Sequence, residues 1–219
     1  MRMNLSELEI RILGCLMEKE LTTPEYYPLT LNALAAACNQ KSNRDPVLSF
    51  SEPDLQRGLE ALGARGLARL TTTGGRVNKY VHSMGDKLGL SAPARAVLAE
   101  LMLRGPQTAA ELRSRCQRMT EVGNLVAVEE ILLGLQQHGP SLVVRLPRQA
   151  GRKEPRYAQV FAGMPELPEE EPEAPAAPSA PRTRPGGERL EHLEQEVGSL
   201  RQEIAELRRE VEELLAAFS

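Results

Sequence analysis

Aromatic side chains are scarce: they make up 3% of the 219 residues, and tryptophan is missing altogether. Proteins that grip single-stranded nucleic acid stack successive bases on aromatic platforms, so this scarcity argues against that class. Cysteine is also sparse. Cys15, Cys38 and Cys116 are odd in number, far apart, and include no C-x-x-C pair. That argues against a disulfide framework and gives no zinc signature. Each lies in an apolar helical pattern, as a small buried hydrophobe would. No stretch approaches the roughly 18 consecutive apolar residues of a membrane span. The N-terminal MRMNLSELEI also lacks the apolar core of about 7–15 residues that marks a signal peptide. A cytoplasmic protein without membrane contact is expected.

The chain is equally poor in catalytic constellations. His82, His138 and His192 stand apart from one another and from any cysteine–carboxylate set, and there is no glycine-rich phosphate loop. Gly74-Gly75 sits between two strand-like runs and reads as a hairpin turn. Without a nucleophile–base pair or a ligand cluster, no enzymatic activity, cofactor or metal is expected.

What the sequence has in quantity is capped helices. Ser6 and Glu9 form a capping box with Leu5 and Ile10 at hydrophobic-staple positions, and Ile10, Leu13, Leu16 and Met17 follow at helical spacing. Thr30 caps a second helix carrying Leu31, Leu34 and Cys38. Ser51, Pro53 and Asp54 open a third with Leu55, Leu59 and Leu62 inward, and Gly66 ends it. LARLTTTGGRVNKYVH then reads as a hairpin.

The same order returns downstream. Ser91 caps a helix with Val97, Leu98, Leu101 and Met102, and Thr108 with Glu111 makes another capping box. Leu34 and Cys38 map onto Leu112 and Cys116 at an offset of 78; Leu59, Leu62 and Gly66 map onto Leu132, Leu135 and Gly139 at 73. LVVRLPRQAGRKEPRYAQVF closes the second unit as a longer hairpin. Three helices and a hairpin, twice over, predict two tandem winged-helix domains at 1–88 and 89–163. The fold class expected is mainly α with small β-hairpin wings (α+β).

Beyond them the pattern changes. Residues 164–187 hold seven prolines and a Glu169–Glu171 run, a composition that cannot offset ordering entropy and reads as a disordered linker. Residues 188–219 carry heptads with Leu190, Val197, Ile204, Val211 and Phe218 at a, and Leu193, Leu200, Leu207 and Leu214 at d. β-branched residues at a with leucine at d favour a parallel two-stranded coiled coil. Glu196 and Glu203 at g would then pair with Arg201 and Arg208 at e, whereas an antiparallel dimer would oppose the glutamates. Dimerisation is expected through Leu193, Val197, Leu200, Ile204, Leu207, Val211 and Leu214.

The runs TTPEYYPLTLNALAAACNQKSNRDPV and SEPDLQRGLEALGARGLARL, together with the repeat, resemble the YceH-like family of uncharacterised bacterial proteins over residues 5–163. The resemblance implies paired winged-helix domains of the kind usually assigned to DNA binding. It implies no biochemical activity and carries over no catalytic residue.

Charge shapes the functional expectation. Residues 1–165 carry 21 Lys and Arg against 16 Asp and Glu, a net of +5, while residues 166–219 carry 6 against 14, a net of −8. A winged helix generally reads DNA with its third helix, yet the third helix here offers Glu52, Asp54, Gln56, Arg57 and Glu60, and its counterpart Asn124, Glu129, Glu130, Gln136 and Gln137. Acids at a helix start suit the helix dipole and oppose a polyanion. Positive charge gathers instead on the second wing (Arg145, Arg148, Arg152, Lys153, Arg156) and the helix before it (Arg113, Arg115, Arg118). Smaller contributions come from the first wing (Arg69, Arg76, Lys79) and the CNQKSNRDPV stretch (Lys41, Arg44). Such residues give phosphate affinity without sequence readout. Asn39, Ser42, Asn43 and Asp45 would also fix that stretch as a hinge by bonding its own backbone. The expectation is a non-enzymatic, weakly sequence-specific duplex-DNA binder that dimerises through its tail. The alternative is a protein–protein adaptor built on the same winged helices and contacting no DNA.

Overall fold

The chain divides into two units, Met1–Pro168 and Glu169–Ser219. The computed structural model describes residues 3–71, 77–147 and 154–164, all in the first unit. The expected linker beyond Met164, the coiled coil with its dimerisation residues, and Arg76, Arg148, Arg152 and Lys153 lie outside the described residues.

The first unit is mainly helical with two small antiparallel sheets. Helix α1 (Glu7–Thr22) starts at Ser6, whose hydroxyl accepts the Glu9 N–H while the Glu9 carboxylate accepts the Ser6 N–H at 2.7 Å. That exchange satisfies two amides the helix itself cannot. All ten residues from Glu9 to Glu18 are buried, so α1 is a central helix rather than an amphipathic surface one. Thr30 caps α2 (Leu31–Cys38), and Ser51 with Asp54 caps α3 (Glu52–Ala64). Gly66 follows α3 at φ +64°, a conformation that favours glycine.

Strands β1 (Leu29–Thr30), β2 (Ala68–Thr71) and β3 (Lys79–His82) form a sheet in the order β1-β3-β2. A short helix, α4 (Met84–Leu88), leads into α5 (Ala92–Arg104), which is capped by Ser91 and buried throughout Ala96–Leu103. Thr108 and Glu111 box α6 (Ala109–Cys116), Asn124 caps α7 (Leu125–Gln137), and β4 (Val143–Arg145) pairs with β5 (Tyr157–Gln159).

The duplication reaches further than the helices. Leu29, just before the α2 cap, pairs with Tyr80 in β3; Gln107, just before the α6 cap, bridges to Tyr157 in β5. Gln107 and Tyr157 exchange both backbone bonds, at 3.0 and 2.7 Å. Strand β1 and helix α4 are additions to the expected pattern. Two-residue strands and one-turn helices are too short to leave a periodicity in sequence.

Both repeats share one continuous core, and α1 makes its most extensive packing with α5, its counterpart in the other repeat. Gly14 permits the close approach: a Cβ there would lie 3.0 Å from Leu103 Cγ and 3.1 Å from Met102 Cβ. Leu103 is fully buried and cannot swing into solvent. Gly14→Val should therefore destabilise by about 1–3 kcal/mol through overpacking. In thermal unfolding this would read as a fall of several degrees in Tm.

Candidate nucleic-acid interface

The CNQKSNRDPV stretch is a staked connector. Its ends are tied by Asn39, whose amide donates to the Phe50 carbonyl at 2.9 Å while its oxygen accepts the Phe50 N–H at 2.8 Å. From one side, α1 holds it through Arg11, which donates to the Pro46 carbonyl at 2.7 Å. From the other side, the Leu103 carbonyl of α5 accepts the Asp45 N–H at 2.9 Å. Asn43 sits at φ +54° and reaches outward, donating to Glu100 at 3.1 Å and accepting from Arg104 at 3.2 Å. The sequence-based expectation that Asn43 bonds its own backbone is corrected here: its side chain bonds α5 and, at 3.4 Å, Glu18 of α1.

Arg44 is corrected too. It is 4% exposed, and its guanidinium forks onto Glu18 of α1, with Nη1 to Oε1 at 3.1 Å and Nη2 on Oε2. The remaining N–H groups donate to the carbonyls of Ala37 and Asn43, and Gln40 Oε1 accepts from Nη2. No donor is left for a phosphate.

Arg118 caps this node. One nitrogen, Nη2, donates to Glu18 Oε1 and to Glu100 Oε1, each at 2.6 Å. Glu18 is 1% exposed and Glu100 is fully buried, while the Arg118 side chain is 38% exposed. Two buried carboxylates, one from the first helix of each repeat, thus share one arginine at the surface. Burial alone would raise the Glu18 carboxyl, but the bonds and charge of Arg44, with Arg118, outweigh it and hold it below its ordinary value. Arg118 is held above its own ordinary value: burial opposes this, and Glu100 and Glu18 prevail.

The other expected phosphate contacts divide. Arg156 donates from Nε and Nη2 to the Pro106 carbonyl, at 3.0 and 2.8 Å, and from Nη2 to Glu111 at 3.1 Å. Arg115 is half-buried against Gln107 and Glu111. Both brace α6 while remaining partly exposed. Arg113 is exposed, with Nε on the Gly123 carbonyl at 3.3 Å. Lys41 and Arg145 are exposed and Lys79 half-exposed, and none of the three forms an ion pair with a described residue. Lys79 faces Thr71 and Arg145 faces Tyr157, each on the last paired rung before its hairpin loop.

The two described histidines, His82 and His138, and the three cysteines sit within the packing of the first unit; His192 lies outside the described residues. His82 Nδ1 accepts the Met84 N–H at 3.1 Å, which leaves the ring proton on Nε2 to donate to Glu20 at 3.0 Å. His138 joins the α7 end to the Leu88 carbonyl at 3.0 Å. All three cysteines are buried and free, and burial pushes the Cys116 thiol up to about 12, with the Glu100 charge adding and Arg118 opposing.

A pH dependence follows. Glu20 is held below its ordinary 4.5 chiefly by its bond from His82, with Arg95 assisting. Glu111 is also held below 4.5: burial opposes this, but the Thr108 N–H, Arg156 and Arg115 prevail. With Glu18 these are depressed carboxylates, so their stabilisation is present above about pH 4.5 and lost as pH falls through the lower folded values. Urea midpoints should hold between about pH 6 and 8 as far as these groups are concerned, and fall below about pH 4.5. Glu111→Gln should make that acid-side fall shallower.

Comparison with known proteins places these features in a wider set. The family described as "Protein of unknown function, DUF480" matches residues 5–152. A UPF0502 protein of Citrifermentans bemidjiense is 73% identical over 207 residues, covering 91% of this chain and 92% of that protein. A UPF0502 protein of Geotalea uraniireducens is 63% identical over 200 residues, covering 91% of each. One from Geobacter sulfurreducens is 49% identical, again covering 91% of each.

Proposed function

We propose, from the premise that the chain belongs to the DUF480 (UPF0502) family of uncharacterised bacterial proteins, that it is a tandem winged-helix protein that binds duplex DNA through its basic hairpins. The observation that carries this reading is the placement of Lys79 and Arg145. Both stand without an ion-pair partner among the described residues, on the last rung of equivalent hairpins. Each leads into a loop whose sequence adds more cations: Arg76 in the first, and Arg148, Arg152 and Lys153 in the second. Arg44, Arg118 and Arg156 are bonded to carboxylates and carbonyls of the first unit, whereas Lys79 and Arg145 have no ion-pair partner among the described residues and are available to an external anion. Phosphate contacts of this kind position a protein on DNA without reading bases.

Dimerisation through a parallel coiled coil at 188–219 belongs to the same proposal and rests on the heptads. Two pairs of wings joined by a Pro- and Glu-rich linker would raise avidity without fixing a half-site spacing. The test is fluorescence anisotropy of the full chain on random-sequence duplex DNA. Micromolar binding at about 50 mM salt that is largely lost at about 200 mM supports the proposal. No binding at low salt overturns it.

A further inference from the structure

Helices α3 and α7 hold equivalent places in the repeat, yet their outer faces differ. On α3 the exposed side chains include Glu52, Gln56, Arg57 and Glu60, and none is large and apolar. On α7, Val128, Leu132 and Leu135 fill the inner face. Leu125, Val126 and Leu133 are nonetheless 41%, 59% and 51% exposed. Val126 and Leu133 are seven residues apart and share one stripe. Glu129 and Glu130 are exposed beside them, and neither pairs with a described residue. The helix contains no lysine or arginine.

We infer that this face of α7 docks a cationic amphipathic helix of another protein. The partner's apolar stripe would cover Leu125, Val126 and Leu133 while its lysines or arginines meet Glu129 and Glu130. Charge complementarity selects this occupant over the others. A second copy of the face would set Glu129 and Glu130 against glutamates. The chain's own residues 166–219 carry a net charge of −8 and share the sign of the face. Duplex DNA shares it too. Apolar side chains collected on one solvent face, where the equivalent helix has none, mark an interaction surface. An amphipathic helix laid along them is a recurring mode of recognition. The inference uses residues of α7, none of them in the hairpins, and does not rest on the DNA reading.

The test uses the full chain and a fluorescein-labelled synthetic peptide of about 18 residues, with a leucine stripe flanked by lysines. Controls are a scrambled isomer and a peptide with glutamate in place of lysine. Binding with a Kd of about 10–100 μM is expected, as for a small, partly exposed contact. It should weaken at least about tenfold for both control peptides. The same weakening is expected for Val126→Ser/Leu133→Ser and for Glu129→Lys/Glu130→Lys, whose exposed positions leave the fold intact by thermal melting. Equal binding of the scrambled peptide, or binding indifferent to both double variants, overturns the inference. So does a sedimentation result in which Val126→Ser/Leu133→Ser dissociates a dimer, since a second copy would then cover the face. DNA anisotropy on the same variants should show no weakening; loss of DNA binding by Val126→Ser/Leu133→Ser with unchanged peptide binding would assign the face to DNA and overturn the inference as well.

Discussion

Glu18→Ala should unfold the chain far more readily than any surface change, costing about 3–5 kcal/mol, the range for removing one partner of a buried ion pair. The substitution strands Arg44, which is 4% exposed, with a guanidinium built around the missing carboxylate. It also removes half of the acid that anchors Arg118. At about 2–4 °C per kcal/mol for a protein of this size, Tm should fall by about 6–20 °C. Arg118→Ala should cost less, because its side chain is 38% exposed and solvent screens part of its interaction. The double variant Glu18→Ala/Arg44→Ala should be less destabilised than the sum of the single changes, since the charge left behind in each is gone. Urea denaturation of the four proteins in the Glu18–Arg44 cycle measures this coupling. Strict additivity would mean that the fork contributes nothing beyond its separate parts.

The node explains where the sequence was transparent and where it was opaque. Every helix cap argued from spacing alone, at Ser6, Thr30, Ser51, Ser91 and Thr108, accepts the backbone N–H three residues on. Capping is a local contact whose two partners lie in one short window, so sequence exposes it. The internal repeat was legible for a similar reason, and the Leu29–Tyr80 and Gln107–Tyr157 rungs extend it into the sheets. Arg44 was opaque. Its partner lies 26 residues away, and a polar run of amides and cations looks the same whether it faces water or a buried carboxylate. Arg118 reaches 100 residues back to Glu18, and Arg156 reaches 50 to Pro106. Periodicity tells which face of a helix turns inward, not which charge awaits it there. One signal was present: Glu100 interrupts the apolar run AVLAELML. A carboxylate in such a run requires a buried cation or a hydrogen-bond donor.

Arg145→Ala with Lys79→Ala should weaken duplex-DNA binding and flatten its salt dependence without touching the fold. Each phosphate contact contributes about −0.9 to the slope of log affinity against log salt. Removing two should therefore make the slope shallower by nearly 2, so the affinity lost between about 50 and 200 mM salt shrinks by about tenfold. Adding Arg148→Ala, Arg152→Ala and Lys153→Ala should flatten it by up to nearly 3 more. Arg57→Ala supplies the contrast: Arg57 lies exposed on α3 beside Asp54 and should leave affinity and slope unchanged. The outcomes separate because the hairpins and α3 would meet DNA differently. A slope indifferent to the hairpin substitutions but flattened by Arg57→Ala would move the contact onto α3, into a groove that the acids at its N-terminus oppose. A slope that follows the hairpins places the duplex against the two rungs where Lys79 and Arg145 stand without an ion-pair partner among the described residues, leaving the outer face of α7 to a protein.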